Sequence, residues 1–266
     1  MKQLIEKRSE DHPVWTKPSL QWSLAATPAE VAEAQRLRYR VFAQERGLHL
    51  AGPHAGLEGD TFDRFCDHLL VRDAATGELV AATRLLSDVA AVKAGGFYSA
   101  TEFEIEQVLA APGRLLEVGR TCVAPGHRSG ATIAVLWQGL AQVLRTRQFD
   151  FLMGCASIDL ADGGFGAQSI LSQLRRRHLA PAHLRVRPRQ RWSGPAYLRD
   201  AEPVTMPPLL KAYMRLGAWV CGDLAYDPDF NTADVFVLLA TSRIEARYAR
   251  HFLGRPAPEA SCLSAA

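Results

Sequence analysis

One segment limits the architecture more than any other. Leu115–Val123 (LLEVGRTCV) is apolar enough for a core strand, yet Glu117, Gly119 and Arg120 sit inside it. Pro125-Gly126 breaks the strand, and Ala131–Arg147 follows with the apolar spacing of a long helix. Phe149–Cys155 is then a short, nearly continuous apolar run, as expected of a strand covered on both faces. Strand, turn, helix and buried strand in that order place the chain in the α/β or α+β class, with helices flanking one mixed sheet.

The rest of the chain reads consistently with that unit. Thr27-Pro28-Ala29-Glu30 is a helix start, with Thr27 as cap, Pro28 at the first helical position and Glu30 at the capping-box position. Ala34, Leu37, Val41 and Leu48 keep one face of this helix apolar, and Gly47 can end it. Residues 49–66 predict a long loop. Strands at His68–Asp73 and Glu78–Leu86 around an Ala-Ala-Thr-Gly turn predict a β-hairpin. Further helices are predicted at 167–178 and 207–217 and a last strand at 233–240, with an irregular Pro- and Arg-rich stretch at 180–206. One domain over 21–253 is expected, preceded by a polar arm at 1–20 and followed by a frayed tail at 254–266.

Composition narrows the function. With 266 residues, 48% hydrophobic and 22% charged, the chain can bury a full core and is not a disordered one. A net charge of +3 is too small to argue for nucleic-acid binding. Arginines 175, 176, 177, 185, 187, 189 and 191 are clustered, either as a solvated surface or as a docking face for an acidic partner or an anionic membrane. The five cysteines are odd in number, widely spaced and lack a CxxC pair, which suggests neither a disulfide framework nor a zinc site. The first residues carry no apolar leader, and no apolar run approaches the ~18–20 residues of a spanning helix. A cytoplasmic protein, at most peripheral at the inner membrane, is expected, with no metal.

Two sets of motifs carry chemistry. The first is Arg38 and Phe42, Asp60 and Asp63, Arg84, and Glu117 and Arg120. In order and spacing it resembles the acyl-homoserine-lactone synthases. The tryptophan that follows the first helix in those enzymes is Leu48 here, which argues against their methionine-derived substrate. The second set is CDHLLV from Cys66, GFYS from Gly96, EVGRTCV from Glu117, FLMGCAS from Phe151 and DPDFNTAD from Asp227. With PPLLK from Pro207 and LGAWV from Leu216, it resembles the bacterial ornithine N-acyltransferases over about residues 22–252. These make lyso-ornithine lipid from ornithine and a 3-hydroxyacyl carrier protein.

The resemblance implies a GNAT-like fold, a mixed sheet whose central strands splay apart and admit the pantetheine arm. It also implies acyl carrier protein and L-ornithine as partners and no bound cofactor. Leu115–Val123 is then the strand at the splay. Strict alternation sends Glu117 and Arg120 to opposite faces, and a bulge at Gly119 would bring both to one cleft. Glu117 is the expected proton acceptor. Backbone amides of Gly119, Arg120, Thr121 and Cys122 are expected to hold the thioester oxygen, with Val123 completing the donor strand. Arg128, Ser129, Gly130 and Ala131 fall on the phosphate-binding loop of the acetyl-CoA enzymes. The loop here, His127-x-x-Gly130-x-Thr132, is a degraded copy, as suits a carrier protein without an adenylate pyrophosphate. Arg84 or Arg120 would clamp the amino-acid carboxylate, and Asp60, Asp63 or Asp67 would hold the side-chain ammonium or only support the loop. Phe42, Phe97, Phe103 and Trp137 are either an acyl tunnel or plain core. His68 and Asp73 match the His-x4-Asp of glycerolipid acyltransferases, but within a strand residues five apart face opposite ways. Other amino acids as acceptor, a lactone synthase using S-adenosylmethionine, and a membrane-active protein are the alternative readings.

Overall fold

The computed structural model describes residues 19–45, 47, 56–194 and 204–244. Leu48, most of the arm and the tail lie outside them. β1 (Leu20–Leu24), which begins at the last residue of the expected arm, pairs antiparallel with the strand after it. α1 (Pro28–Arg38) starts as predicted. Thr27 Oγ1 accepts the Glu30 amide at 3.3 Å, and the Glu30 carboxylate accepts the Thr27 amide at 3.1 Å, closing a capping box. The helix does not continue unchanged to Gly47. From Tyr39 to Gln44 it widens into a π-helical turn that carries Phe42. Such turns are common at functional sites.

The hairpin is β2 (Asp67–Asp73) and β3 (Leu79–Ser87). Three short helices follow, α2 (Asp88–Ala94), α3 (Ser99–Glu102) and α4 (Glu106–Leu109), with β4 (Phe103–Glu104) between the last two. Then come β5 (Leu115–Val123), α5 (Gly130–Thr146), β6 (Phe151–Asp159) and α6 (Phe165–His178). β7 (Arg187–Pro188), α7 (Pro208–Arg215), β8 (Trp219–Val220), β9 (Ala225–Asp227) and β10 (Thr232–Ala240) complete the order.

The main sheet runs β1-β2-β3-β5-β6-β10-β8, with β9 also paired to β10. All its neighbours are antiparallel except β5 and β6. Apolar side chains of α5, α6 and α7 cover one face, where Leu116, Leu152 and Val235 lie. On the other face Leu115, Met153 and Phe236 pack with Phe97, Phe103 and Val108, while Ala34 and Leu37 of α1 pack on Leu70 and Ala82. The period-two alternation of β5 and β6 thus feeds two cores.

Two irregularities position the site. β5 and β6 pair only at Leu115↔Phe151, Leu116↔Leu152 and Glu117↔Met153, then part. Gly154 lies where they part, and a Cβ there would stand 2.2 Å from the Val118 carbonyl oxygen. The second irregularity is a bulge between β3 and β5. Ala82 faces Cys122 and Arg84 faces Gly119, so Thr83 alone opposes both Arg120 and Thr121. The bulge therefore falls one residue after its expected place at Gly119, and Arg120 takes the left-handed conformation with φ 51°. The extra residue resets the alternation, so Glu117 and Arg120 reach the same cavity. His68 and Asp73 form no pair: His68 Nε2 lies 3.2 Å from the Asp63 carbonyl oxygen, while Asp73 Oδ1 accepts the Ala75 amide at 2.8 Å.

Candidate active site

The parted strands enclose a cavity of about 220 Å³. Its β5 wall presents Glu117, Gly119, Arg120 and Thr121, and its β6 wall runs from Gly154 to Ser157. Phe42 and Phe230, edge to face at 5.9 Å, also line it. From Val118 onward β5 has no β6 partner, which turns its inner backbone edge toward the cavity. Phe97, Phe103 and Trp137 are core residues rather than tunnel walls.

Glu117 is 4% exposed. Its Oε2 accepts the Tyr98 amide at 2.8 Å and its Oε1 the Ser99 amide at 2.7 Å, so it anchors the turn into α3. Burial pushes its pKa up, against hydrogen bonds from Ser99 and Tyr98 and the charge of Arg84.

Beside it lies a buried ionic network. Arg38, 1% exposed, grips Asp63 with two hydrogen bonds of 2.9 and 2.5 Å, and its Nε lies 2.7 Å from Glu58. Arg84 donates to Asp60 at 2.5 Å and to Asp63 at 3.1 Å, and Arg120 donates to Glu58 at 3.0 Å. Three arginines thus balance three carboxylates. Burial alone would raise the Asp63 carboxyl, but hydrogen bonds and charge from Arg38 outweigh it and hold it well below the usual carboxylate range. Arg120 also stacks on Tyr98 at 4.7 Å and Phe230 at 5.1 Å, which holds its guanidinium at the cavity wall.

This network answers one sequence expectation. Asp60 and Asp63 are counter-ions of arginines, and Asp67 is half exposed and pairs with Arg147 away from the cavity. Each of the three therefore already has an arginine partner, which spacing along the chain does not show. The donor-side residues divide in the same way. Gly119 and Thr121 line the cavity, whereas Cys122 is buried against α1 and Val123 packs on the other core. Arg128 donates to Glu45 at 2.6 Å, Ser129 caps α5 by accepting the Thr132 amide at 3.4 Å, and Gly130 and Ala131 open that helix. None of these four lines the cavity.

The fold also assembles a set of acids from two distant parts of the sequence. One carboxylate oxygen each of Glu102, Asp227 and Asp234 lies within 4.8 Å of the other two. Asp227 and Asp234 line the cavity, and Glu102 lines an adjoining outer pocket that shares Tyr98, Arg120, Asp227 and Phe230 with it. The DPDFNTAD motif contained the two aspartates, and the turn between β9 and β10 brings them together. Nothing local marked Glu102. Burial, and then the charge of Asp234, pushes the Glu102 pKa up to about 8; burial raises Asp234 as well.

Known proteins match this architecture. An Acetyltransferase (GNAT) domain family matches residues 37–138. The L-ornithine N(alpha)-acyltransferase of Rhodobacter capsulatus is 39% identical over 246 residues, covering 87% of this chain and 94% of that one. The enzyme of the same name from Brucella abortus is 37% identical, with 88% and 89% covered. Among solved structures, FeeM, an N-acyl amino acid synthase from uncultured soil microbes, gives a TM-score of 0.53 at 13% identity, covering 86% of this chain and 95% of its own. The AHL synthase LasI gives 0.51 at 12% identity, covering 90% and 96%. At these identities the two structures speak for the fold alone, a mixed and splayed sheet.

Proposed function

The chain belongs to the L-ornithine N(alpha)-acyltransferases, and from that premise we propose that it moves a 3-hydroxyacyl group from an acyl carrier protein thioester to the α-amino group of L-ornithine, giving lyso-ornithine lipid. The observation that carries this reading is the parting of β5 and β6 around a cavity that holds both Glu117 and Arg120. A thioester needs no covalent enzyme intermediate. The protein has to hold the amine at attack distance, accept its proton and stabilise the oxyanion.

In this account the pantetheine thioester enters between the strands, with its carbonyl oxygen toward the inner amides of Gly119 to Thr121. Arg120 takes the acceptor's carboxylate at the cavity wall. Glu117 accepts the first proton of the α-ammonium; each of its oxygens keeps a second lone pair beyond the amide bond it already accepts, and burial makes it more basic. The amine nitrogen then bonds to the thioester carbon as the C–S bond breaks. The pantetheine thiolate takes one proton and solvent takes the other. The exposed Arg175, Arg176 and Arg177 on α6 suit an acidic carrier protein, although Arg175 is already paired with Asp223. Among the described residues no helix is long and apolar enough to cross a membrane.

The test is consumption of a 3-hydroxyacyl carrier protein thioester as a function of added ornithine, with wild type and Glu117→Gln. Ornithine-dependent release of the thiol, slowed about 10²–10⁴-fold in the variant, agrees with the reading. Release that ignores ornithine, or an unimpaired variant, contradicts it.

A further inference from the structure

We infer that Glu102, Asp227 and Asp234 form the site that holds the side-chain ammonium of the acceptor, and so select a diamino acid over a neutral one with the same carbon skeleton. The inference rests on the acyl-transfer reading above and names the specificity residues of that cavity.

Three observations lead to it. The first is the absence of a cation. Glu58, Asp60 and Asp63 each have an arginine, but among the described residues no arginine or lysine pairs with any member of this trio. The second is the state of Glu102. Both its carboxylate oxygens are buried, and none of its neighbours, the Tyr98 hydroxyl, the Cys155 thiol and the Asp234 carboxyl, meets either of them at full hydrogen-bond geometry. Asp234, 3% exposed, receives the Thr232 hydroxyl at 2.9 Å on one oxygen, and Asp227 accepts the Asp229 and Phe230 amides on one of its own. Once ionised, a buried carboxylate such as Glu102 costs free energy unless a ligand supplies the donors, and its raised pKa reflects that cost. The third is position. Asp227 and Asp234 open on the cavity that contains Glu117 and Arg120.

The ligand chemistry follows from the donor count. A primary ammonium carries three N–H donors and no acceptor. Acceptors about 2.9 Å from a tetrahedral nitrogen stand ~4.7 Å apart, which the trio's spacing within 4.8 Å permits. The acids come from α3, β9 and β10, so they converge only in the folded sheet. A neutral side chain on the same carbon skeleton would leave the three acids without a cation and Glu102 without a donor, and that penalty is the basis of selection.

The experiment compares kcat/KM for ornithine and norvaline, which has a methyl in place of the terminal aminomethyl group, with one carrier-protein donor. Wild type is expected to prefer ornithine by more than tenfold. Glu102→Gln and Asp234→Asn, each checked for an unchanged melting transition, are expected to reduce that preference at least tenfold, mainly through KM for ornithine. An unchanged ratio in every folded variant overturns the inference and leaves the acyl-transfer reading standing, as does a wild type that does not discriminate. A wild type that acylates no amino acid overturns both. A parallel series with EDTA and then Mg²⁺ or Ca²⁺ addresses the other occupant three carboxylates can take. Activity unmoved by chelation agrees with an ammonium site, and activity lost to EDTA and restored by a divalent ion overturns it.

Discussion

Replacing Gly154 by alanine tests the parting of β5 and β6 with one methyl group. The backbone at Gly154 is not in the left-handed region, so alanine meets no conformational penalty there. Its obstacle is contact: the new Cβ would lie 2.2 Å from the Val118 carbonyl oxygen. Carbon and oxygen without a bond rest roughly 3.3–3.6 Å apart, so the strands must yield by about 1 Å. The partner is backbone on a core strand, and no rotamer change relieves it. Overpacking of this kind costs about 1–3 kcal/mol, or a fall of about 2–12 °C in melting temperature for a domain of this size. Because Val118 precedes the amides assigned to the thioester oxygen, kcat/KM should fall more steeply than stability; a 1 Å misplacement can cost about 10²-fold. Melting by circular dichroism and steady-state kinetics on the same preparation read both. A variant with wild-type melting and wild-type kcat/KM would show that the backbones do not touch at this point.

Other expectations follow from the ionic groups. Arg38→Ala strips Asp63 and Glu58 of a buried partner and should cost about 3–5 kcal/mol, which Arg38→Lys does not recover because one ammonium cannot reproduce the two-pronged grip; a melting shift within error refutes it. Asp63, held low in the folded protein, contributes stability above its unfolded value of about 3.9 and loses it as pH falls through and below that range. Urea unfolding of Asp63→Asn should therefore show a deficit at pH 7 that closes in acid. Glu102, raised to about 8 by burial and by Asp234, with Asp227, Tyr98 and Cys155 also facing it, becomes an anion only as pH rises toward 8. The preference for ornithine over norvaline should thus grow between pH 6 and 8, and Glu102→Gln should flatten the rise.

Much of this molecule was legible wherever the cause is local. The capping box at Thr27, the hairpin of β2 and β3, and β5 at the predicted residues rest on side chains near in sequence. What was hidden depends on distant partners. An arginine with φ 51° leaves no mark in a sequence, so the bulge was expected at the neighbouring glycine. Asp60 and Asp63 looked available because Arg38 and Arg84, more than twenty residues away, reach them only in the fold. Glu102 had no motif around it, and its meeting with Asp227 and Asp234 depends on how α3 sits against β9 and β10. The π-helical turn at Tyr39–Gln44 interrupts a pattern that reads as one unbroken helix.

The central claim is that the cavity between β5 and β6 joins an acyl thioester to the α-amine of a diamino acid whose other ammonium is held apart. Its most direct test is to incubate the protein with 3-hydroxyacyl carrier protein and ornithine and to locate the new amide by fragment-ion mass spectrometry. One amide is expected, on the α-nitrogen, with the side-chain amine free. An amide on the side-chain nitrogen, or an intact thioester after prolonged incubation, would contradict it.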